Sequence, residues 1–403
     1  MNRRLLLCLC LAEVLGMANY AGFAALLPQF VAEWSLSNAQ AGWISGIYFA
    51  GYTLVVPFLV ALTDKLDTRA IYLGSTALVA ASTLAFAFAA DGFWSAMALR
   101  AVTGIGLAGT YMPGLRVLTD HTAPDQRARV TGFYTASYSA AASLSFVFIG
   151  LFDAWWGWRG AFFVSGLMAC AALALTCWII PPDPPKERPT WRIVRAALDF
   201  APVARNRRAI GFMVAYLAVV WGLSANRSWF VALFEYSASI QAPGAWVWSA
   251  TLVAALLNLV GLPASLLGNE AAIRFGHVRA IAWFYVVAAA VILLFGLSLD
   301  APYALLVALG AFMVFVLNSN GSSVTSGVAA VAEPARRGAT IALHSCLGFL
   351  GGFLGPLVFG YALDFGGGAS NPDAWLAAFA SSAAVCLIGA GAVLVLSRTP
   401  SSR

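Results

Sequence analysis

Charged residues are scarce in this sequence. Asp, Glu, Lys and Arg together make up 10% of its 403 residues, whereas soluble domains carry about 25%. Hydrophobic residues make up 61% of the chain. This scarcity of charge excludes a soluble domain of useful size, because too little polar sequence remains to cover one.

Enzyme and metal-site motifs are missing as well. The six cysteines all lie in apolar stretches without CxxC spacing, which predicts buried thiols rather than disulfides or a metal site. Glycine-rich stretches such as GFLGGFLG lack the Lys-Ser/Thr pair of a phosphate-binding loop and predict close helix packing instead. The sequence contains no hydrolase triad pattern. We therefore predict that the protein is not an enzyme and needs no cofactor.

Apolar runs long enough to cross a bilayer take up most of the chain. A run of about 20 residues spans the hydrocarbon core, and about twelve such runs follow one another. A cleaved signal peptide is disfavoured for the first run, which contains Glu13 and continues past the usual length. The sequence thus predicts an all-α membrane protein with 12 transmembrane helices. To within about three residues, the runs are 5–32, 40–62, 70–90, 94–116, 130–152, 158–180, 209–233, 244–268, 278–298, 302–324, 340–363 and 374–396.

Positive charge lies almost entirely on one side of this arrangement. With a cytoplasmic N-terminus, all but three of the 23 lysines and arginines fall in cytoplasmic segments. Arg159 falls in an outer loop, and Arg100 and Arg227 fall within spans. Because basic residues stay on the cytoplasmic side, both termini are predicted to lie inside. The net charge of +6 is therefore a topology signal and predicts no nucleic-acid binding.

One Pro-rich and then basic loop divides the spans six and six. We predict an N-terminal six-helix bundle at 1–180, a cytoplasmic linker at 181–208 and a C-terminal six-helix bundle at 209–403. Equal span counts on the two sides of the linker prompt a search for internal repeats.

Short matches recur between the two halves. ANYAGFAALL (18–27) resembles ANRSWFVALF (225–234), and APDQRARVTG (123–132) resembles AEPARRGATI (332–341). Aligned on their shared Asn and Pro, these pairs are offset by 207 and 210 residues. Matches in the same order at nearly one offset predict two pseudo-symmetric bundles.

RAVTGIGLAG (100–109) in span four contains an Arg followed by spaced glycines, and WGWRGAFF (156–163) lies between spans five and six. TDKLDTR (63–69) follows span two. The first two motifs resemble the span-four signature and the turn between spans five and six of the major facilitator superfamily of transporters, and the third is a degenerate form of the family's loop signature after span two. The resemblance implies two six-helix halves around a central cavity that opens alternately to each side. Span five lacks the Gly-Pro run that is typical of the family's drug antiporters.

The segment around Arg227 combines a permanent charge with an apolar span. An Arg at mid-bilayer costs about 2.5–3.5 kcal/mol on insertion scales, so we expect it to avoid lipid. It either reaches the outer headgroups or pairs with Glu235, or it recognises an anionic group by bidentate hydrogen bonds. Asn226 and Arg227 match Asn19 and Tyr20 in the repeat. We predict that these four residues bind the substrate.

Glu13 is a candidate for proton coupling. It lies about 12 Å into span one and two helical turns before Tyr20, so the two are predicted to share a helix face. A buried carboxyl group can take up and release a proton during transport, although a structural hydrogen bond to another span is the alternative. Arg100 is either a coupling partner or a donor to backbone carbonyls. We predict that Glu13 and Arg100 act in proton coupling.

Spans four and ten are interrupted by GTYMPG (109–114) and by the polar run NSNGSSVTSG (318–327). Broken helices are tolerated where their backbone lines a cavity or is buried in protein. The repeat also pairs Tyr134 with His344, which is either a titrating group or an interhelical hydrogen-bonding group. The residues thereby added to the predicted substrate site are Tyr111, Tyr134, Asn318, Asn320 and His344.

Charges in the inner loops are predicted, through the family resemblance, to latch the cytoplasmic side closed. The alternative is ordinary inner-surface charge that orients the spans. The predicted cytoplasmic gate consists of Asp64, Arg69, Arg116, Asp120, Arg127, Glu270, Arg274, Glu333 and Arg337.

These observations together predict a secondary active transporter of a small solute, with an organic or inorganic anion favoured and a proton as coupling ion. The expected setting is the bacterial inner membrane, and the expected partners are the solute, the proton and the lipid bilayer, with no metal and no nucleic acid. We expect a monomer. Two alternatives stay open: an efflux antiporter for drugs or lipophilic compounds, and a transport-inactive membrane receptor or assembly factor on the same scaffold.

Overall fold

The computed structural model of the chain describes residues 3–62, 67–182, 199–243, 247–333 and 336–397. These residues contain no strand, and the structure is 87% helical. The prediction of an all-α protein is therefore confirmed. Asp64 and most of the predicted linker at 181–208 lie outside the described residues.

The helices follow one another with short connections. In chain order they are α1 (Arg3–Gly16), α2 (Gly22–Ala25), α3 (Leu27–Glu33), α4 (Asn38–Leu62), α5 (Thr68–Ala89), α6 (Phe93–Ala108), α7 (Tyr111–Asp120), α8 (Arg127–Ile179), α9 (Ala201–Ala204), α10 (Arg207–Ser239), α11 (Ala250–Phe275), α12 (His277–Leu297), α13 (Tyr303–Val331), α14 (Arg337–Phe365) and α15 (Pro372–Leu396). A 3₁₀ turn at Pro124–Gln126 leads into α8.

Within the described part of the chain, nine helices are long and apolar enough to cross a membrane, namely α4, α5, α8 and α10 to α15. α8 contains 53 residues and would extend about 80 Å if straight, which is more than twice the thickness of a hydrocarbon core. It is interrupted at Gly157, where φ is +68°. Glycine adopts this conformation readily, so the WGWRGAFF motif supplies a turn between two apolar helical segments.

The first predicted span is broken. Residues 17–21 form turns between α1 and α2, in which Tyr20 N donates to Met17 O at 2.8 Å and Gly22 N to Asn19 O at 3.0 Å. Ala21 N donates to the Ser145 hydroxyl of α8 at 3.2 Å. The prediction that Glu13 and Tyr20 share one continuous helix face was therefore wrong. A break at this depth persists because turn bonds and a neighbouring helix satisfy its backbone.

Span four is interrupted as predicted, since α6 ends at Ala108 and α7 begins at Tyr111. Span ten is not, because α13 continues through the polar run at 318–327. Its hydroxyls bond back along the same helix, with Ser319 Oγ donating to Phe315 O at 2.9 Å and Ser323 Oγ to Ser319 O at 3.0 Å. Intrahelical bonds of this kind let serine remain in a helix without breaking it.

Contacts divide the chain into two compact units. Within unit 1, α1 and α5 pack on α8, and α5 also packs on α6. Within unit 2, α10 packs on α13, α14 and α15, and α12 packs on α13 and α15. Unit 1 comprises Met1–Ser35, Ile47–Leu198 and Ala254–Leu259, and unit 2 comprises Leu36–Gly46, Asp199–Val253 and Val260–Arg403.

Unit 2 contains the capped start of α4. Ser37 and Gln40 form a capping box, in which each side chain accepts from the other's backbone N–H, at 3.1 and 2.9 Å. The Asp364 carboxylate of α14 accepts from Asn38 N at 3.0 Å and from Ala39 N at 2.8 Å. These bonds satisfy donors that the first helical turn leaves unpaired. The negative charge also lies at the positive end of the helix dipole.

Replacement of Asp364 by Ala is expected to destabilise unit 2 by about 1 kcal/mol, because the first two N–H groups of α4 lose their acceptor. The apparent Tm of the purified protein in detergent should fall by about 2–4 °C. Asp300→Ala, which removes an exposed carboxylate between α12 and α13, is the matched control and should leave Tm unchanged. If the two variants had the same apparent Tm, the Asp364 carboxylate would not be a stabilising cap.

Candidate functional site

Five tyrosines form a connected cluster inside unit 1, called here the tyrosine cluster. The ring centroids of Tyr20 and Tyr48 are 5.7 Å apart, and those of Tyr20 and Tyr138 are 6.2 Å apart. Tyr111 lies 4.9 Å from Tyr138 and 5.6 Å from Tyr134. These spacings suit edge-to-face and stacked aromatic pairs. The cluster joins the turn in span one to α4, α7 and α8.

Arg100 adjoins the tyrosine cluster at Tyr48. Its side chain is only 4% exposed, and its guanidinium carbon lies 4.4 Å from the centre of the Tyr48 ring. Nη1 donates to the backbone carbonyl of Asn19 at 3.5 Å. The buried guanidinium is thus stabilised by a cation–π contact with Tyr48 and by a backbone carbonyl in the helix break. This contact is the kind that the backbone-donor interpretation of Arg100 predicts.

Asn19 is buried at the same break. Its Nδ2 donates to Thr83 Oγ1 at 3.3 Å. A Cβ on Gly22 would lie 1.9 Å from Asn19 Oδ1, so only glycine leaves room for this side chain. The Asn-x-x-Gly spacing in the sequence therefore reflects the local packing that orients the broken span.

Glu13 is buried in unit 1 and lines the same small cavity as Tyr134 of the tyrosine cluster. It is 6% exposed, and its Oε2 accepts a hydrogen bond from the Ser137 hydroxyl of α8. No described residue bonds to Oε1. A cavity of about 20 Å³ adjoins the carboxyl group and is lined at the two helix breaks by Met17 and Thr110, among others. A cavity of this size has room for one water molecule.

Unit 2 contains buried amides without a hydrogen-bond partner among the described residues. Asn226 on α10 is 4% exposed and its Nδ2 is unbonded, while Asn320 on α13 is fully buried with both amide atoms unbonded. Buried polar groups are nearly always paired in proteins, so these amides have bonding capacity that water or a solute could satisfy. Both residues belong to the predicted substrate site.

The other predicted residues of unit 2 occupy different surroundings. His344 on α14 is 3% exposed, stacks on Tyr216 with centroids 4.0 Å apart, and lies 3.3 Å from Thr325 Oγ1 through Nε2. Asn318 donates to the carbonyl of Val314 in its own helix at 2.9 Å. Arg227 on α10 is half-buried.

The predicted gate residues form mainly local contacts in the described structure. Two ion pairs lie within single segments, Arg116 with Asp120 at 3.5 Å and Glu333 with Arg336 at 3.7 Å. Two other members donate to backbone carbonyls, Arg69 Nη2 to Cys177 O at 2.7 Å and Arg127 Nε to Thr122 O at 3.2 Å. Arg274 lies over the ring of Phe275. Glu270 and Arg337 are exposed.

Ser137, Tyr138 and Tyr48 were not predicted from the sequence. Tyr134, Ser137 and Tyr138 have the i, i+3, i+4 spacing of one helix face, and a polar stripe of this kind in an apolar span was a usable signal. Tyr48 carried no comparable signal, because its contact with Arg100 depends on how α4 crosses α6.

Two glycines allow α4 and α6 to cross closely. A Cβ on Gly104 would lie 1.9 Å from the backbone oxygen of Tyr48, and a Cβ on Gly51 would lie 2.3 Å from that of Ala101. Each helix thus lacks a side chain where the other's backbone approaches, as in small-residue packing of membrane helices. This close approach brings the ring of Tyr48 over Arg100.

The sequence and the fold have counterparts among known proteins. The family model of the Major Facilitator Superfamily matches residues 9–268. The chain is 28% identical over 150 residues to the niacin transporter NiaP of Acinetobacter baylyi, covering 36% of this chain and 33% of that protein. It is also 28% identical over 158 residues to the gentisate transporter of Corynebacterium glutamicum. This match covers 38% of this chain and 34% of that protein. The matches therefore span about a third of these relatives' lengths.

A solved structure extends the likeness of fold to nearly the whole chain. A bacterial homolog to the human lysosomal transporter Spinster, crystallised in an inward-facing and occupied conformation, matches with a TM-score of 0.79 at 17% identity. The match covers 99% of this chain and 97% of that chain. The helices and the comparisons define a multi-pass integral membrane protein whose relatives are transporters rather than enzymes. This chain belongs to the major facilitator superfamily.

Replacement of Gly104 by Ala is expected to destabilise unit 1 by about 1–3 kcal/mol, because the new methyl group would overlap the Tyr48 backbone. The apparent Tm and the monodisperse fraction in detergent should both fall. Gly74→Ala is the matched control on α5, since nothing lies within 4 Å of its new Cβ. A Gly104→Ala protein as stable as the Gly74→Ala protein would contradict the close crossing.

Proposed function

We propose that this protein is a secondary active transporter that moves a small organic anion by alternating access and couples this movement to protons. The observation that carries the proposal is Glu13, a buried carboxyl group bonded to a neutral hydroxyl and adjoining a small cavity between two helix breaks. Family membership supports transport as the general activity.

We further propose twelve crossings with both termini inside. α4, α5 and α10 to α15 count as one crossing each, and α8 counts as two because of its turn at Gly157. The broken segments α1–α3 and α6–α7 supply the remaining two. The proposed organisation is two six-helix bundles at 1–180 and 209–403, joined by the linker at 181–208, in a monomer of the bacterial inner membrane.

Proton coupling at Glu13 follows from the nature of its partner. When Glu13 is ionised, its carboxylate accepts a hydrogen bond from the Ser137 hydroxyl. When Glu13 is protonated, its own O–H can donate to the Ser137 oxygen instead. Glu13 can therefore change its protonation without leaving a buried cation unpaired, which would be costly in the membrane. A water molecule in the adjoining cavity would supply a partner for its second oxygen and a route for the proton.

Anion recognition is proposed for Arg227, with Asn226, Asn318, Asn320 and His344 as polar contacts of the solute. Niacin and gentisate, which name two relatives, are small aromatic carboxylates. A carboxylate suits the planar fork of an Arg, and an aromatic ring suits tyrosine faces. We propose solute-binding roles within unit 1 for Asn19, Tyr20, Tyr111 and Tyr134, and a cytoplasmic-gate role for the inner-loop charges.

Proteoliposomes that contain Glu13→Gln are expected to lose uphill uptake of niacin or gentisate driven by an inward proton gradient. Exchange of labelled for unlabelled solute without a gradient should continue, because Gln preserves the shape of Glu13. Uphill uptake should be lost because Gln cannot bind and release a proton. Radiolabel accumulation measures both rates. Asp125→Asn, an exposed carboxylate in the 3₁₀ turn, is the control and should accumulate solute at the parental rate.

Parental accumulation by Glu13→Gln would rule out Glu13 as the proton carrier. Resistance of overexpressing cells to lipophilic drugs, without carboxylate uptake by the proteoliposomes, would favour the efflux alternative instead. A partner protein that co-purifies stoichiometrically with a transport-inactive chain would favour the receptor alternative.

Replacement of Arg227 by Gln is expected to weaken solute binding by at least about tenfold, because hydrogen bonds to charged groups contribute about 1.5–3 kcal/mol. Arg227→Lys should be intermediate, since it keeps the charge but loses the bidentate fork. Equilibrium binding to the purified protein measures both effects. Arg205→Gln, at an exposed position near α9, should bind like the parent. Unchanged affinity in Arg227→Gln would remove Arg227 from the site.

A further inference from the structure

A cavity of about 500 Å³ lies at one end of unit 2, away from every group assigned above to solute or proton. α10 and α12 begin at this end, and α11, α13 and α15 finish there. Because these are membrane-crossing helices, their common ends lie where hydrocarbon gives way to the polar headgroups. On the proposed topology this is the cytoplasmic surface.

The rim of the cavity is cationic. Arg208 of α10 and Arg279 of α12 both line it and are exposed, and no carboxylate occurs among the described lining residues. No hydrogen bond or ion pair joins either guanidinium to another residue of the described structure. Two planar donor forks therefore lie on the rim of the cavity, and such forks match the oxygens of a phosphate.

The start of α12 adds further donors to the cavity. Gly276, with φ of +85°, precedes it, and no side chain caps the helix. The first backbone N–H groups of α12 can therefore donate hydrogen bonds to an anion at the positive end of the helix dipole. His277 Nε2 lies 3.0 Å from Ser326 Oγ, whose hydroxyl donates to Asn269 Oδ1 at 3.0 Å. The contact with Ser326 orients the His277 ring beside the cavity.

The wall of the cavity is apolar. Phe212 is 3% exposed at its floor, and Phe275 is 62% exposed at its edge. Val278 and Val331 complete this wall. A cavity with cationic donors on the rim and hydrocarbon on the wall matches a molecule that carries both a phosphate and apolar chains. Its volume also exceeds what a phosphate ion alone would fill.

We propose that this cavity binds the phosphate group of an anionic glycerophospholipid from the surrounding bilayer. Arg208 and Arg279 bind the phosphate oxygens, the first turn of α12 supplies backbone donors, and Phe212 and Phe275 contact the glycerol and the upper acyl chains. The apolar wall and the position at the helix ends favour a lipid over a soluble phosphate ester. The proposal does not depend on the identity of the transported solute.

The test uses the full chain, delipidated in detergent, and measures binding of phosphatidylglycerol by native mass spectrometry. The double variant Arg208→Gln with Arg279→Gln removes both rim charges. Arg205→Gln with Arg207→Gln removes two neighbouring exposed charges that do not line the cavity and is the matched control. Phosphatidylcholine and glycerol 3-phosphate are the comparison ligands. Tm without added lipid checks that each variant remains folded.

We expect phosphatidylglycerol affinity to fall about 30-fold in the double rim variant, given about 1 kcal/mol for each basic residue near the surface. The control should retain parental affinity, and phosphatidylcholine should bind weakly to all three proteins. Equal losses in both double variants would overturn the proposal in favour of diffuse surface charge. Equal affinity for glycerol 3-phosphate would overturn it in favour of a soluble anion.

Discussion

A backbone polar group in hydrocarbon must find its hydrogen-bond partner within the protein, and the interior of unit 1 is organised by that requirement. The turn between α1 and α2 releases backbone groups from the helical pattern. Ser145 accepts from Ala21 N, and Arg100 donates to the Asn19 carbonyl. The same two contacts hold α6 and α8 against the turn, so the break that would destabilise an isolated span fixes the position of Tyr20.

Glu13 and Arg100, which are both buried in unit 1, have separate neutral partners. Glu13 bonds to a serine hydroxyl, and Arg100 bonds to a carbonyl and an aromatic face. If these groups formed one ion pair, protonation of the carboxyl group would leave a buried guanidinium uncompensated. Separate partners allow Glu13 to change its charge while Arg100 and the broken span keep their geometry.

Small residues place helices close enough for these contacts. In unit 1, Gly51 and Gly104 each face the backbone of the opposite helix, so Tyr48 reaches Arg100. In unit 2, a Cβ on Gly351 would lie 2.2 Å from Leu217 O, and a Cβ on Gly355 would lie 2.5 Å from Trp221 O. The prediction that the GFLGGFLG stretch mediates helix packing is therefore confirmed. Attraction between membrane helices depends on such close contact, since lipid is as apolar as the helix surfaces.

The sequence by itself determined the all-α membrane class, the family and the glycine-mediated packing, because apolar run length and small-residue spacing are local properties. It also indicated the break near Tyr111, where glycine and proline interrupt a span. The tertiary structure alone decided that residues 17–21 are not helical while the serine-rich run of α13 is, because neighbouring side chains or the helix's own carbonyls complete the backbone bonding. It alone brought Ser137 to Glu13 and Tyr48 to Arg100, since these pairs are distant in sequence and meet only through the crossing of packed helices.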